Sequence, residues 1–208
     1  MTTSLTMTMR TPKLIGVILA GGRSTRMGKD KACLELEGVS FIERARMVLE
    51  EISCEHIVLS GHDRLDWTGL SIPDLHSGLG PVSGICRLLQ WANTEFAGHA
   101  RLIFIPVDTP LLSADLLLQV ARNADNHDGS CVPQSPLPLA LNLNAHTLQQ
   151  SKFAELDLSL GNAWSIRRFL QPLCIKEISP GSINTMDLTN INWPAELELL
   201  RSEITSSA

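Results

Sequence analysis

Apolar runs and amphipathic stripes alternate along the first 125 residues of the chain. The run LIGVILA at residues 14–20 is short, rich in branched side chains and followed by two glycines, which is typical of a parallel strand buried on both faces. The segment 41–52 instead spaces its apolar residues along one helical face, with Ser40 as the predicted N-cap. HIVLS at 56–60 then predicts a second strand. This order indicates an open, mostly parallel sheet with right-handed crossovers.

The same alternation continues and then becomes less regular. We predict a short strand at 70–74, a helix from 80, a strand at 101–108 and a helix at 113–124 with Ser113 as its cap. SCVPQSPLPLALNLN at 130–144 predicts an extended, proline-interrupted edge or hairpin, because proline is confined to edges and bulges of sheets. A helix at 163–170, strands at 174–178 and 182–187, and an amphipathic helix at 193–204 complete the prediction. We expect a frayed start at 1–12 and one three-layer α/β/α domain at 13–203.

Charge and composition narrow the classes of function. With 208 residues and a net charge of −5, the chain lacks the basic character of proteins that coat nucleic acid. No apolar run approaches the roughly 20 residues of a membrane span, and the N-terminal segment lacks a secretory apolar core. Five scattered cysteines without C-x-x-C spacing favour reduced thiols in a cytoplasmic protein. We therefore expect neither nucleic acid nor membrane as a partner.

Positive charge is concentrated after the first strand, in VILAGGRSTRMGKDK at 17–31. Gly21 and Gly22 end the strand, so their backbone N–H groups can approach a phosphate without an intervening Cβ. The spacing fits neither G-x-x-x-x-G-K-[ST] nor G-x-G-x-x-G. The loop is therefore predicted to bind phosphate in a different arrangement.

LAGGRSTRMGKDK resembles the L-A-G-G-x-x-x-R-M-G-x-D-K signature of nucleotidyltransferases, and within them it is most similar to the molybdenum cofactor guanylyltransferase family. Five further segments resemble that family in the same order: LELEG, IPDLHSGLGPVSGI, PVDTPLL, SIRRFL and TNINWPAEL. The resemblance implies a Rossmann-like nucleotidyltransferase fold and transfer of GMP from GTP to molybdopterin, with release of pyrophosphate. It also implies Mg²⁺ as cofactor, and proteins that deliver the cofactor or accept the product as further candidate partners.

The resemblance assigns a metal site to the carboxyl end of the sheet. Asp108 ends an apolar strand, where an uncompensated carboxylate would be costly, and Mg²⁺ is its expected partner. Asn192 is the expected second oxygen ligand, with Asn190 nearby. The alternatives are a helix-capping role for Asp108 and ordinary Asx-turn or capping roles for the two asparagines.

Two cations of the loop are expected to act on the triphosphate. Lys31 would contact it and take part in catalysis, and Arg26 would stabilise the pyrophosphate leaving group. The alternative is a solvated charged loop, which remains our interpretation of Arg23 and Lys29. Backbone contacts to the nucleotide are expected from a short run at the strand end: Leu19, Ala20, Gly21 and Gly22.

Later segments complete the predicted site. Asp74 is expected to contact the nucleotide, or alternatively to form a turn after Pro73. A helix start formed by Gly80, Pro81 and Gly84 is expected beneath the ligands, with Gly80 and Pro81 at the acceptor; the alternative is helix capping alone. Arg167 and Arg168 are expected to meet the acceptor's phosphate, or alternatively to be surface charges on a helix. Trp164 and Trp193 could stack on a ring or fill the core.

Two departures from the family pattern leave the substrates open. Ser60 stands where the family usually has asparagine, and SPLPLAL at 135–141 lacks the histidine of the family's H-P-x-x-A-L. The open alternatives are cytidylyl transfer, a sugar or polyol phosphate acceptor, and a nucleotide-binding protein without catalysis. The turn LAGG favours guanine, since the resembling cytidylyl enzymes tend to have L-A-A-G.

Overall fold

A seven-stranded sheet forms the middle layer of the protein. The computed structural model describes residues 11–20, 30–64 and 66–207. The sheet order is β5-β4-β1-β6-β8-β7-β9, and among these strands β8 alone runs antiparallel to its neighbours. A separate hairpin joins β2 and β3. The strands are β1 Lys13–Leu19, β2 Glu35–Leu36, β3 Val39–Ser40, β4 His56–Ser60, β5 Leu70–Ile72, β6 Ala100–Pro106, β7 Gly129–Cys131, β8 Leu139–Asn142 and β9 Ile175–Glu177.

Helices cover both faces of the sheet, as the predicted three-layer architecture requires. They are α1 Phe41–Glu51, α2 Pro81–Phe96, α3 Ala114–Asn123, α4 Ala145–Ser159, α5 Ile166–Leu170 and α6 Pro194–Ser207. Helices α1, α3 and α6 pack against one face and share a core cluster with Ile18 of β1. Helices α2, α4 and α5 cover the other face, where Ile15 and Val17 of the same strand are buried. Successive side chains of β1 therefore enter opposite cores.

The position of β1 determines where loops converge. It pairs in parallel with β4 on one side and β6 on the other. The chain therefore adds strands outward from β1 in one direction first and in the other direction afterwards. Ligands of open α/β sheets bind at such a switch point, outside the carboxyl ends of the strands. The segments that follow β1, β4 and β6 all begin at this edge. The fold thus selects one region for the predicted site.

The first half of the chain follows the sequence prediction closely. Ser40 caps α1 by accepting from the backbone N–H of Glu43, and Ser113 caps α3 by accepting from Leu116. Both helices bury the predicted apolar face. Local capping and hydrophobic periodicity therefore sufficed for these elements.

The second half of the chain corrects two predictions. The predicted hairpin exists as β7 and β8, but it lies inside the sheet between β6 and β9, and not at an edge. Its prolines lie in the connection between the two strands, so they do not interrupt the ladder. The predicted strand at 182–187 is wrong, since Pro180–Ser182 and Thr185–Leu188 form 3-10 turns.

Helix α4 was not predicted from the sequence. Its buried face carries mostly small or polar residues, including Thr147, Ser151 and Ala154, while Phe153 and Leu156 are exposed. Apolar side chains are consequently spread around the helix, and no stripe of helical period marks it. Its Asn144 capping box is a local cue for the helix start, with Thr147 in place of the usual acidic or amide residue.

Two expectations from composition can be compared with the structure. All five cysteines lie in the described ranges and are free thiols; Cys86 and Cys131 are buried, whereas Cys33 and Cys174 are exposed. In the same ranges, no helix has both the length and the apolar character needed to cross a membrane.

Candidate active site

Two adjoining cavities follow the carboxyl edge of the sheet. The central cavity, of about 460 Å³, lies beyond the ends of β1 and β6 and is lined by Leu19, Ala20, Asp30, Lys31, Pro81, Pro106, Val107, Asp108, Thr109, Ser135, Pro136, Leu137, Leu188 and Asn190. The lateral cavity, of about 780 Å³, lies beyond β4 and is lined in part by Ser60, Arg64 and Asp74. Ala20 and Asp30 border both. The two cavities therefore form one cleft above the switch point.

Three predicted site residues cluster at the central cavity: Lys31 and Asp108 line it, and Asn192 contacts Lys31. The Lys31 ammonium donates to Asp108 Oδ2 and to Asn192 Oδ1, each at 2.7 Å. The side chains of Lys31 and Asp108 are 18% and 19% exposed, so solvent screens their ion pair less than it would at the surface. Residues far apart in the chain thus present opposite charges and an amide at one point of the cleft.

Hydrogen bonds of the backbone at residues 191–193 determine where Asn192 lies. The backbone N–H of Ile191 donates to the Asp108 carbonyl at 2.9 Å, which holds this segment beside the end of β6. Glu196 Oε2 accepts from the backbone N–H groups of Asn192 and Trp193, at 2.6 and 3.0 Å, and so caps α6. The Asn192 side chain faces Lys31. Asn190 lines the same cavity.

The donor set suits a hard divalent cation. Asp108 and Asn192 direct a carboxylate oxygen and an amide oxygen at one positive centre, now the Lys31 ammonium. Magnesium prefers oxygen ligands and often binds through one or two protein groups, with water and substrate phosphates filling the remaining positions. Among the residues that the structure describes, no group of three or more His, Cys, Asp or Glu side chains could hold a metal. These two oxygens therefore fit a cation that is shared with a phosphate ligand.

The lateral cavity contains a polar pair above α2, formed by the buried Ser60 and the partly buried Asp74. Ser60 Oγ donates to Asp74 Oδ1 at 3.1 Å. Burial raises the pKa of the Asp74 carboxyl above its usual range, while the Ser60 hydrogen bond and the charge of His62 offset part of this effect. A Cβ added at Gly84 would lie 2.2 Å from Ser60 Oγ and 2.8 Å from Asp74 Oδ1. Glycine is therefore needed at this helix position for the pair to pack so closely.

The amino end of α2 adjoins the central cavity. Gly80 is its N-cap residue at φ 86°, in a region that favours glycine, and Pro81 occupies the first turn. Pro81 lines the cavity. The helix therefore directs its positive end toward the region where phosphates are predicted.

The two arginines of α5, Arg167 and Arg168, contact different parts of the protein. Arg167 donates to the backbone carbonyl of Gln134, in the β7–β8 connection that lines the central cavity. Arg168 lies over the Trp164 ring at 4.0 Å from its centroid and pairs with Asp157 at 3.0 Å. It lines another cavity, of about 760 Å³. The structure thus brings Arg167 to the wall of the site and keeps Arg168 apart from it.

The two candidate tryptophans also differ. Trp164 is 5% exposed and belongs to the core cluster under α2, which agrees with a core-filling role. Trp193 is 48% exposed at the start of α6.

Several predicted residues lie outside the described part of the chain. They are Gly21, Gly22 and Arg26, together with Arg23 and Lys29. Their assignments remain predictions from the sequence.

Sequence reasoning did not identify two residues that organise the site. Glu196 stands at the third helical position after Trp193, and that capping-box spacing could have identified it. Arg64 pairs with Asp30, which is 34 residues away, and no local pattern marks that contact.

Substituting Gly84→Ala should reduce the free energy of unfolding by about 1–3 kcal/mol, because the new Cβ would displace Ser60 or Asp74. Urea denaturation would measure the loss. The cost of the same substitution should be smaller in a Ser60→Ala background, which removes the nearer clash. Gly181→Ala is the matched control, since no described atom lies within 4 Å of its added Cβ. Equal stability of the Gly84→Ala and Gly181→Ala proteins would contradict this packing argument.

Substituting Asp74→Asn should stabilise the protein more at pH 7 than at pH 4. The pKa of Asp74 is raised by burial, so ionising this carboxyl opposes folding. That penalty is absent below the ordinary value of 3.8 and grows as the pH rises above it. Asparagine avoids the penalty and keeps an oxygen for Ser60. Urea midpoints at the two pH values test this, with Asp63→Asn as an exposed control in the same cavity; a gain that is larger at pH 4 would refute it.

The sequence matches the model of the MobA-like NTP transferase domain over residues 16–173. A molybdenum cofactor guanylyltransferase from Xanthomonas euvesicatoria pv. vesicatoria is 32% identical over 197 residues, covering 95% of this chain and 98% of that protein. Another from Rhodobacter capsulatus is 36% identical over 120 residues, covering 55% of this chain and 61% of that protein. The similarity thus extends over nearly the full length in the first case and about half in the second.

Solved structures share the fold. Molybdopterin-guanine dinucleotide biosynthesis protein A from Archaeoglobus fulgidus superimposes with a TM-score of 0.71 at 21% identity, covering 93% of this chain and 100% of that one. The 2-C-methyl-D-erythritol 4-phosphate cytidylyltransferase from Thermus thermophilus gives 0.61 at 14% identity, covering 91% and 98%. These similarities confirm the Rossmann-like nucleotidyltransferase fold. The family-model match and the full-length relative together show that the chain belongs to the MobA-like NTP transferase family.

Proposed function

We propose that this protein transfers GMP from GTP to the phosphate of molybdopterin. An acceptor phosphate oxygen would attack the α-phosphorus of GTP, the bond to the β-phosphate oxygen would break, and pyrophosphate would leave. The observation that carries the proposal is the cluster of Lys31, Asp108 and Asn192 at the switch point of the sheet. Relatives that bear the guanylyltransferase name support the choice of substrates. The unpaired cysteines fit a reducing compartment, so we place the reaction in the cytoplasm.

The chain's own residues supply positioning and charge, which is most of what phosphoryl transfer requires. Asp108 and Asn192 would hold Mg²⁺, which, when bound, neutralises charge on the phosphates. The partly buried Lys31 ammonium adds a second positive charge beside the triphosphate. Arg26, outside the described residues, is proposed to stabilise the leaving pyrophosphate. The amino end of α2 contributes partial positive charge through Gly80 and Pro81.

The cleft divides naturally between the two substrates. We assign the nucleoside to the lateral cavity, where the Asp74 carboxylate can accept from the N–H donors of guanine. Leu19 and Ala20 lie at the end of β1, where their backbone can follow the phosphates. We assign the acceptor to the central cavity, whose wall includes Ser135–Leu137 braced by Arg167. Arg168 is farther from this cavity, so the acceptor role of the pair rests on Arg167.

The experiment that tests the proposal measures pyrophosphate release. The purified protein is incubated with Mg²⁺, molybdopterin and each of the four nucleoside triphosphates in turn. We expect turnover with GTP and a dinucleotide product. Turnover with CTP alone would reject guanine specificity. Binding of a triphosphate without turnover of any of them would reject the enzymatic proposal and favour a nucleotide-binding protein.

Substituting Asp108→Asn should lower turnover by about 10²-fold or more while largely preserving the melting temperature. Asparagine keeps an oxygen that can accept from Lys31 but removes the negative charge that a metal needs. Steady-state kinetics across a Mg²⁺ titration and thermal unfolding would be measured together. Asp115→Asn, an exposed change in the first turn of α3, is the matched control. A large drop in melting temperature with unchanged Mg²⁺ dependence would show that Asp108 has only a structural role.

A further inference from the structure

Asp30 connects two parts of the cleft through its two carboxylate oxygens. Oδ1 accepts from the backbone N–H of Ala32 at 3.1 Å and so caps the 3-10 turn Lys31–Cys33. Oδ2 pairs with Arg64 Nη1 at 2.6 Å. The turn that carries Lys31 is therefore fastened to the segment between β4 and β5, although the two are 34 residues apart.

Arg64 is held in place from several sides. Its side chain is 13% exposed, and its Nε donates to Asp66 Oδ1 at 3.0 Å. Nη2 lies 3.2 Å from Cys33 Sγ, at the other end of the same turn. Burial acts to lower the pKa of Arg64, but the hydrogen bonds that the guanidinium donates to Asp66 and Asp30 outweigh it, so the pKa is raised above its usual range and the group stays charged. The planar guanidinium can contact all three partners at once, which a lysine ammonium on a flexible stem matches poorly.

The two ends of this connection face different cavities. Arg64 borders the lateral cavity, where we place the nucleoside, and Lys31 lines the central cavity, where the triphosphate would meet the acceptor. Asp30 borders both. A nucleotide that spans the cleft therefore requires these two walls to keep a fixed position relative to each other. The Arg64–Asp30 ion pair links them directly.

We propose that Arg64 is a positioning residue for the transfer reaction: acting through Asp30, it holds the Lys31 turn where the ammonium meets the triphosphate. It is not proposed to touch the substrate. The inference rests on the proposed function insofar as Lys31 is taken to contact phosphate. It goes beyond that function because no part of the family resemblance assigns a role to Arg64.

A thermodynamic cycle separates positioning from direct contact. Affinity for GTP is measured by calorimetry for the unmodified protein, Arg64→Gln, Lys31→Ala and the double variant. Arg64→Gln should weaken binding by about three- to tenfold in the unmodified protein, which lies within the range typical of coupled residues. In the Lys31→Ala background it should change affinity less than twofold, because the group through which it acts is gone.

Three controls sharpen the measurement. Arg46→Gln removes an arginine that pairs with Glu43 and Glu50 on the exposed side of α1, and it should leave affinity unchanged. Arg64→Lys keeps the charge and should recover part of the loss. Inorganic pyrophosphate serves as a second ligand that has no base or acceptor. If pyrophosphate binds and GTP does not, guanylyl transfer fails, while the cycle is still measured with pyrophosphate.

Two outcomes would overturn the inference. An equal loss of affinity from Arg64→Gln in both backgrounds would show that Arg64 contacts the ligand itself or acts independently of Lys31. An unchanged affinity in the unmodified background would show that the ion pair does not position the turn.

Discussion

The pairing of β1 with a parallel neighbour on each side is the constraint on which the site depends. Because β4 and β6 flank this one strand, the segments that follow all three strands open at the same edge. The side chains of β1 enter both core clusters, so the strand cannot shift without disturbing both helical layers. The cleft is thus built on a strand whose central residues are buried, which suits a reaction that depends on the fixed placement of charge.

The C-terminal segment completes a site that the first half of the fold begins. Lys31 and Asp108 come from the segments after β1 and β6, whereas Asn192 arrives from the approach to α6. Two contacts hold it there: the backbone N–H of Ile191 donates to the Asp108 carbonyl, and the Glu196 carboxylate accepts from the backbone N–H of Asn192. An ammonium between two oxygens is a satisfied arrangement in the partly buried cleft, and the same oxygens can hold a metal when phosphates offer Lys31 another partner.

Part of the cleft is arranged at the expense of stability. The Asp74 carboxyl is buried enough for its pKa to be raised, so its ionisation opposes folding, and the missing side chain at Gly84 leaves room for the Ser60–Asp74 pair. Both leave a carboxylate accessible in the lateral cavity, as expected where binding and folding impose different demands.

The sequence by itself determined the local elements of the first half and the family. Strand β1, the caps Ser40 and Ser113, and the residues Lys31, Asp108 and Asn192 were all identified from periodicity, capping chemistry and resemblance. It could not place the β7–β8 hairpin inside the sheet, because strand order depends on which edges remain available once the core has formed. It missed α4, whose apolar residues face both inward and outward, and it wrongly predicted a strand at 182–187. Only the tertiary structure decided that Asn192 faces Lys31 and that Arg64 pairs with Asp30. Those contacts join residues distant in the chain, and side-chain contacts of that kind leave no period or spacing in a sequence.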